Sequence, residues 1–131
     1  MDIRYVWRGN FTNAALNKLH AEGFDHQVYQ DDWITQTQRH SLGWVCGYAG
    51  EELVGFVNVV WDGAFHAFLI DTLVATRLRH RGIGTELVRI AAAESRQAGC
   101  EWLHVDFEPD LRDFYFKACG FEPTEAGLIA L

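Results

Sequence analysis

Apolar and polar residues recur with two different periods along this chain, and the periods divide it into elements. Asp2 to Arg8 (D-I-R-Y-V-W-R) alternates residue by residue, the pattern of a half-buried strand. Phe11, Ala15 and Leu19 share one helical face, which predicts a helix capped by Asn10 or Thr12 and stopped by Gly23. A second helix is expected from Asp31 or Asp32 to about His40, with a thin apolar face of Trp33 and Ile34. Leu42–Ala49 and Leu53–Trp61 read as strands joined at Gly50-Glu51, and Asp62-Gly63 is a hairpin signal. Ala64–Val74 is apolar on both faces, as a central strand should be. Ile83, Leu87, Ile90 and Ala91 mark a helix from Ile83 to about Ala98, ended by Gly99. Glu101–Phe107 is another strand. Pro109 then suits the first turn of a helix over Asp110–Cys119, which Gly120 ends. Gly127–Leu131 is expected to close the chain as a short strand.

The predicted order is βααβββαβαβ, with antiparallel hairpins first and a β-α-β crossover after them. Rossmann and flavodoxin folds would alternate from the start. The stretch that carries chemistry is Ile70 to Gly99. In it an apolar strand enters a basic, glycine-bearing turn, and the turn opens a helix. A helix start leaves backbone N–H groups without partners and carries partial positive charge. Gly82 and Gly84 let a ligand approach the backbone, and Arg77, Arg79 and Arg81 add cationic donors, a combination suited to a pyrophosphate or similar anion. No G-x-x-x-x-G-K-[ST] P-loop is present, and Gly82-Ile83-Gly84 lacks the third glycine of a dinucleotide fingerprint.

Arg79-His80-Arg81-Gly82-Ile83-Gly84 resembles the [Q/R]-x-x-G-x-[G/A] motif of the GNAT-type N-acetyltransferase superfamily. Two further stretches stand in register with that family. Asp71-Thr72-Leu73-Val74 matches its D-L-x-V-like strand end, and Phe114 to Phe121 is similar to its F-Y-x-x-x-G-F signature. The resemblance covers essentially the whole chain and implies one domain over residues 1–131. It implies an α+β GNAT fold, a mixed and mostly antiparallel central sheet flanked by about four helices. It also implies acetyl-coenzyme A as co-substrate, held by Leu73, Val74 and Ala75 along the strand. The turn would hold its pyrophosphate through Arg79, His80, Arg81, Gly82, Ile83, Gly84 and Thr85. The activity implied is acetyl transfer to a small amine by direct attack, without a covalent enzyme intermediate. The alternative is a module of the same fold that binds acyl-coenzyme A without catalysis, as a sensor or assembly subunit.

Composition narrows the partners. The chain has 131 residues and a net charge of −7, so nucleic acid has no electrostatic footprint to meet, whereas a cationic amine does. No signal peptide and no membrane-spanning apolar run is read in the sequence. Cys46, Cys100 and Cys119 fit neither a disulfide framework nor a zinc site, and read as reduced core residues of a cytoplasmic protein without a metal. Dimers are common in the resembled family, so a homodimer is compatible.

Acetyl transfer to an amine needs a base, a polarised carbonyl and an acid for the departing thiolate. The carbonyl role falls to backbone N–H groups near Leu73 and Val74. Asp71 is the first candidate base, because it interrupts an apolar strand just before the cofactor segment; in several polyamine-type members of the family an acidic pair here contacts the substrate amine, and with Ile70-Asp71 this chain keeps only the second acid. His66, His104, Asp106 and Glu108 are the other candidates, with Asp106 also a candidate for holding substrate. Trp33 reads either as packing onto the sheet or as a wall of the substrate pocket. The acid departs from the family pattern. The usual tyrosine lies four residues before the glycine of the G-F ending, where this chain has Phe116, with Tyr115 one position earlier. One residue on a helix turns a side chain by about 100°, so Tyr115 serves only if that helix is shifted or distorted. The family's Asn, seven residues before the tyrosine, is replaced by Pro109.

Overall fold

The computed structural model describes residues 2–131. Strand β1 is Arg4–Trp7, and helices α1 and α2 are Asn13–Phe24 and Trp33–His40. Strands β2 (Ser41–Ala49), β3 (Glu52–Trp61) and β4 (His66–Val74) follow, then helix α3 (Ile83–Gln97) and strand β5 (Trp102–Val105). The five strands form one sheet in the order β1-β2-β3-β4-β5. β1 to β4 pair antiparallel, and β5 joins β4 in parallel after the α3 crossover. This mixed sheet with its helices is the α+β arrangement expected from the sequence.

Alternate residues of a strand face opposite sides, and β3 shows what covers each side. A Cβ on Gly55 would meet Leu87 and Ile83 of α3. Phe56, next along, packs edge-on against Phe11 at the entry to α1, and both residues belong to or border the main core. Thr12 caps α1, its hydroxyl accepting from the Ala15 N–H at 3.1 Å. Gly23 does not stop this helix. It lies within it because a Cβ there would stand 2.7 Å from Leu73, and Asp25 ends the helix in the left-handed region at φ 53°.

β4 corrects the expectation of a strand apolar on both faces. Ala67, Leu69 and Leu73 are buried, but Phe68 and Ile70 between them are exposed, because α1 and α2 do not cover this end of the sheet. Two further differences lie near the C-terminus. The predicted helix over Asp110–Cys119 is a 3₁₀ turn, Pro109–Leu111, followed by a π-helical turn, Phe114–Ala118. Gly127–Leu131 forms no strand. A strand needs a neighbour to complete its ladder, and here Leu128, Ile129 and Leu131 stay in solvent. None of the described helices is long and apolar enough to cross a membrane.

Asn17 fixes the α1–α2 connection. Its buried amide oxygen accepts from the Trp33 indole N–H (2.9 Å) and the Asp31 N–H (3.2 Å), and its NH₂ donates to the Asp31 carbonyl (3.0 Å). Asn17→Ala would leave the buried Trp33 N–H without its partner. The expected loss is about 2–3 kcal/mol of stability, measured as a lower midpoint in urea with an unchanged slope.

Candidate functional site

The turn before α3 has the geometry of an anion cradle. Gly82 sits at φ 81°, a conformation that favours glycine, and its carbonyl accepts the first helical bond, from the Glu86 N–H at 3.1 Å. The N–H groups of Ile83, Gly84 and Thr85 therefore precede the helical ladder and are free for a ligand. Arg79, His80 and Arg81 are exposed beside them. A cavity of about 230 Å³ lies on this flank, lined by Asp2, Ile3, Tyr5, Leu78, Arg81 and Ile83. Arg77 is not part of the cradle, since its guanidinium is bound by both oxygens of Glu52 at 2.9 Å each. Gly84 is small for a second reason besides backbone access. A Cβ there would press on the Phe114 ring at 3.1 Å. Leu73 and Ala75 are buried and Val74 half-buried, as the strand runs towards this turn.

Asp71 stands at a break in the β3–β4 ladder. Phe56 pairs with Leu73 and Asn58 with Ile70, so Asp71 and Thr72 together face the single residue Val57. This is a β-bulge, a device that re-aims a side chain. Asp71 takes φ 55°, a conformation that Asp tolerates better than most residues. Its Oδ1 is turned to His20 Nε2 of α1, at 3.5 Å. Burial pushes the Asp71 carboxyl above the usual carboxylate range, with His20 opposing the shift. His20 Nδ1 in turn meets His26 Nε2 at 2.7 Å, and His26 Nδ1 meets the Gln27 carbonyl at 2.5 Å. Trp33 is buried with its ring 5.2 Å from that of His20, and Phe24 packs on His20 at 4.7 Å.

Thr72, the other bulge residue, receives Tyr115. The Tyr115 hydroxyl donates to Thr72 Oγ1 at 3.1 Å, and the side chain is buried against Phe107 and Phe121. The π turn brings it there. Cys119 N–H bonds the Phe114 carbonyl, an i→i+5 link, and Gly120 ends the turn at φ 81°. One extra residue per turn means that the position five before Gly120, Tyr115, points inward. Phe116 packs edge-on against Phe107 beneath the Arg112 guanidinium. Burial raises the Tyr115 pKa, so its phenol keeps its proton as a donor.

The remaining sequence candidates lie elsewhere. His66 and His104 form an exposed pair, Nδ1 to Nε2 at 2.9 Å, with His104 stacked on Phe68. His66 is five residues from Asp71 along β4, about 16 Å of extended chain. The structure therefore does not bring these histidines to Asp71. Asp106 and Glu108 are exposed beyond the end of β5. The sequence reading missed His20 and His26 altogether. The available signal was His20 in the last two turns of α1, next to the buried Leu19 and Ala21, with His26 just past the helix end.

The comparisons with known proteins follow this geometry. The sequence profile of the acetyltransferase (GNAT) family matches residues 7–121. A curated mycothiol acetyltransferase of Mycobacterium avium (strain 104) is 34% identical over 67 residues, 51% of this chain and 21% of that protein, so the chain spans about a fifth of its relative's length. Among solved structures, an acetyltransferase of Trypanosoma brucei superposes with a TM-score of 0.84 at 16% identity, over 98% of this chain and 99% of the other. An aminoglycoside N-acetyltransferase in complex with coenzyme A gives 0.77 at 17% identity, over 99% and 94%. These two likenesses show the fold, while the profile match runs from the last residue of β1 through β5 and takes in the glycine turn and the Tyr115 segment, and the chain belongs to the GNAT acetyltransferase family.

Proposed function

We propose that residues 1–131 form one acetyltransferase domain that moves an acetyl group from acetyl-coenzyme A to a small primary amine. The observation that carries the reading is the bulge in β4. Within consecutive residues it sets a half-buried carboxylate, Asp71, beside Thr72 and the hydroxyl of the buried Tyr115, directly before Leu73–Ala75 and the anion cradle. The N–H groups of Ile83, Gly84 and Thr85, with Arg79, His80 and Arg81, would hold the pyrophosphate, and backbone N–H groups near Leu73 and Val74 would polarise the thioester carbonyl. Asp71 takes the proton from the attacking amine, and Tyr115 gives one to the departing thiolate. Phe24 and Tyr29, both exposed, pack on His20 and His26 beside Asp71, and a chain of net charge −7 favours a cationic acceptor. Trp33, buried with its ring 5.2 Å from that of His20, would back the same side of the acceptor site.

A pool of primary amines incubated with acetyl-coenzyme A, read out as free thiol, tests the reading and identifies the acceptor. Thiol release that depends on amine supports it. Tight coenzyme binding with no transfer to any amine would make the chain a binding module instead. Binding itself is expected to stabilise the fold by about 2.7 kcal/mol at 100 times the dissociation constant, seen as a higher melting temperature with millimolar acetyl-coenzyme A. An unchanged melting temperature would count against the whole reading, because the coenzyme bound anywhere on the folded chain would raise it.

A further inference from the structure

The hydrogen bonds around His20 constrain where its protons sit. The Gln27 carbonyl can only accept, so His26 Nδ1 carries a hydrogen. Neutral His26 then has a bare lone pair at Nε2, which accepts from His20 Nδ1 at 2.7 Å. Neutral His20, with its hydrogen on Nδ1, has a bare Nε2. That lone pair faces Asp71 Oδ1, another acceptor, at 3.5 Å. Two acceptors opposed in a half-buried site repel until one proton enters between them. With that proton, each contact along the line from Asp71 Oδ1 to the Gln27 carbonyl sets a donor against an acceptor. The contact is therefore a base waiting for a proton.

We propose that Asp71, His20 and His26 act as one base, in which Asp71 receives the acceptor's proton, His20 stores it and His26 orients His20. The proposal rests on the acetyltransferase reading above. The proton leaves the amine nitrogen for an Asp71 oxygen as the nitrogen–carbonyl bond forms; the carbonyl–sulfur bond then breaks, and the thiolate takes its proton from Tyr115, which regains one from water. It passes from Asp71 to His20 Nε2, leaving imidazolium beside carboxylate, and returns to water as product departs. Both partners keep a route to solvent, with 19% of each side chain exposed. Separations of this kind shorten when substrate closes the site. Asp71 is the catalytic residue of the three, and His20 and His26 are positioning residues.

The elements packed around the cluster carry other titratable groups, but each is engaged or set apart. Glu22 of α1 accepts from the Thr76 N–H at 2.9 Å. Asp32 caps α2 through Thr35, and Asp25 and Asp31 are exposed. Tyr29 stacks on the far ring, His26, at 4.2 Å, and Tyr115 bonds Thr72. None of these contacts lies between Asp71 and His20.

The test has two arms. Nitrogen-15 NMR of the whole chain at a pH where the imidazoles are neutral should show the Nδ1–H tautomer at both His20 and His26. An Nε2–H tautomer at His20 would overturn the proposal without any activity measurement. In the second arm, acetyl transfer to the amine found in the screen is followed against pH. His20→Gln keeps a polar side chain but cannot store a proton. It should lower kcat by roughly 10²-fold and move the acidic limb of the profile, with KM for acetyl-coenzyme A unchanged. His26→Ala should move the same limb by less. Added imidazole should partly restore His20→Ala. If an amine is acetylated yet His20→Gln keeps the wild-type rate and limb, the shared base is overturned and the acetyltransferase reading stands. If no amine is acetylated, that reading fails and the proton path falls with it.

Discussion

Tyr115→Phe is expected to lower acetyl-transfer turnover by about 10²–10⁴-fold, the contribution of a placed general acid, and to leave acetyl-coenzyme A affinity nearly unchanged. The reason is geometric. The π turn aims the Tyr115 hydroxyl at Thr72 on β4, while the neighbouring Phe116 ring packs on Phe107. Burial keeps the phenol protonated across the working pH range, so a Phe in its place fills the same aromatic pocket and removes only the donor. Phe116→Tyr is expected to add nothing to turnover, because its hydroxyl would sit on the wrong side of the turn. Steady-state rates of both variants with the amine from the screen decide the matter. Wild-type turnover in Tyr115→Phe would remove this hydroxyl from the mechanism.

Asp71→Asn is expected to cost a similar 10²–10⁴-fold in turnover and at the same time to raise the melting temperature at neutral pH. The folded chain holds the Asp71 proton to a higher pH than the unfolded chain does, because the carboxyl is buried. Stability from this group is therefore present below the ordinary value of 3.8 and is lost as pH rises through the higher folded value. Asparagine removes that loss. It also tolerates the positive φ of the bulge, and its NH₂ can donate to the bare His20 Nε2. Melting curves of both proteins should differ at pH 7 and converge below pH 3.8. A variant less stable than wild type at pH 7 would mean that the charged form of Asp71 is favoured by the fold.

The parts of the site legible in the sequence are those built from contiguous residues. The turn from Arg79 to Thr85 is one such part: its glycine, its basic side chains and its helix start are neighbours along the chain. Tyr115 was legible only as a condition, since its position relative to Gly120 demanded a distorted helix and nothing local announced a π turn. His20 was not legible. It reaches Asp71 only because an extra residue in β4 turns the carboxylate, and a bulge leaves no mark in a run such as Ile70-Asp71-Thr72-Leu73 beyond an Asp of poor β propensity. The final strand failed for a related reason. An apolar run states that a strand is affordable, whereas pairing depends on a neighbour that the run itself does not contain.

The π turn also changes what counts as a conservative difference between relatives. Removing one residue between Tyr115 and Gly120 would return the backbone to i→i+4 bonding and rotate the inward position along the chain. Two proteins could then present the same hydroxyl to the same strand from sequence positions that do not align, and two that align column by column could present a phenol in one and a bare ring in the other. For this segment chain length, rather than residue identity, sets the address of the side chain.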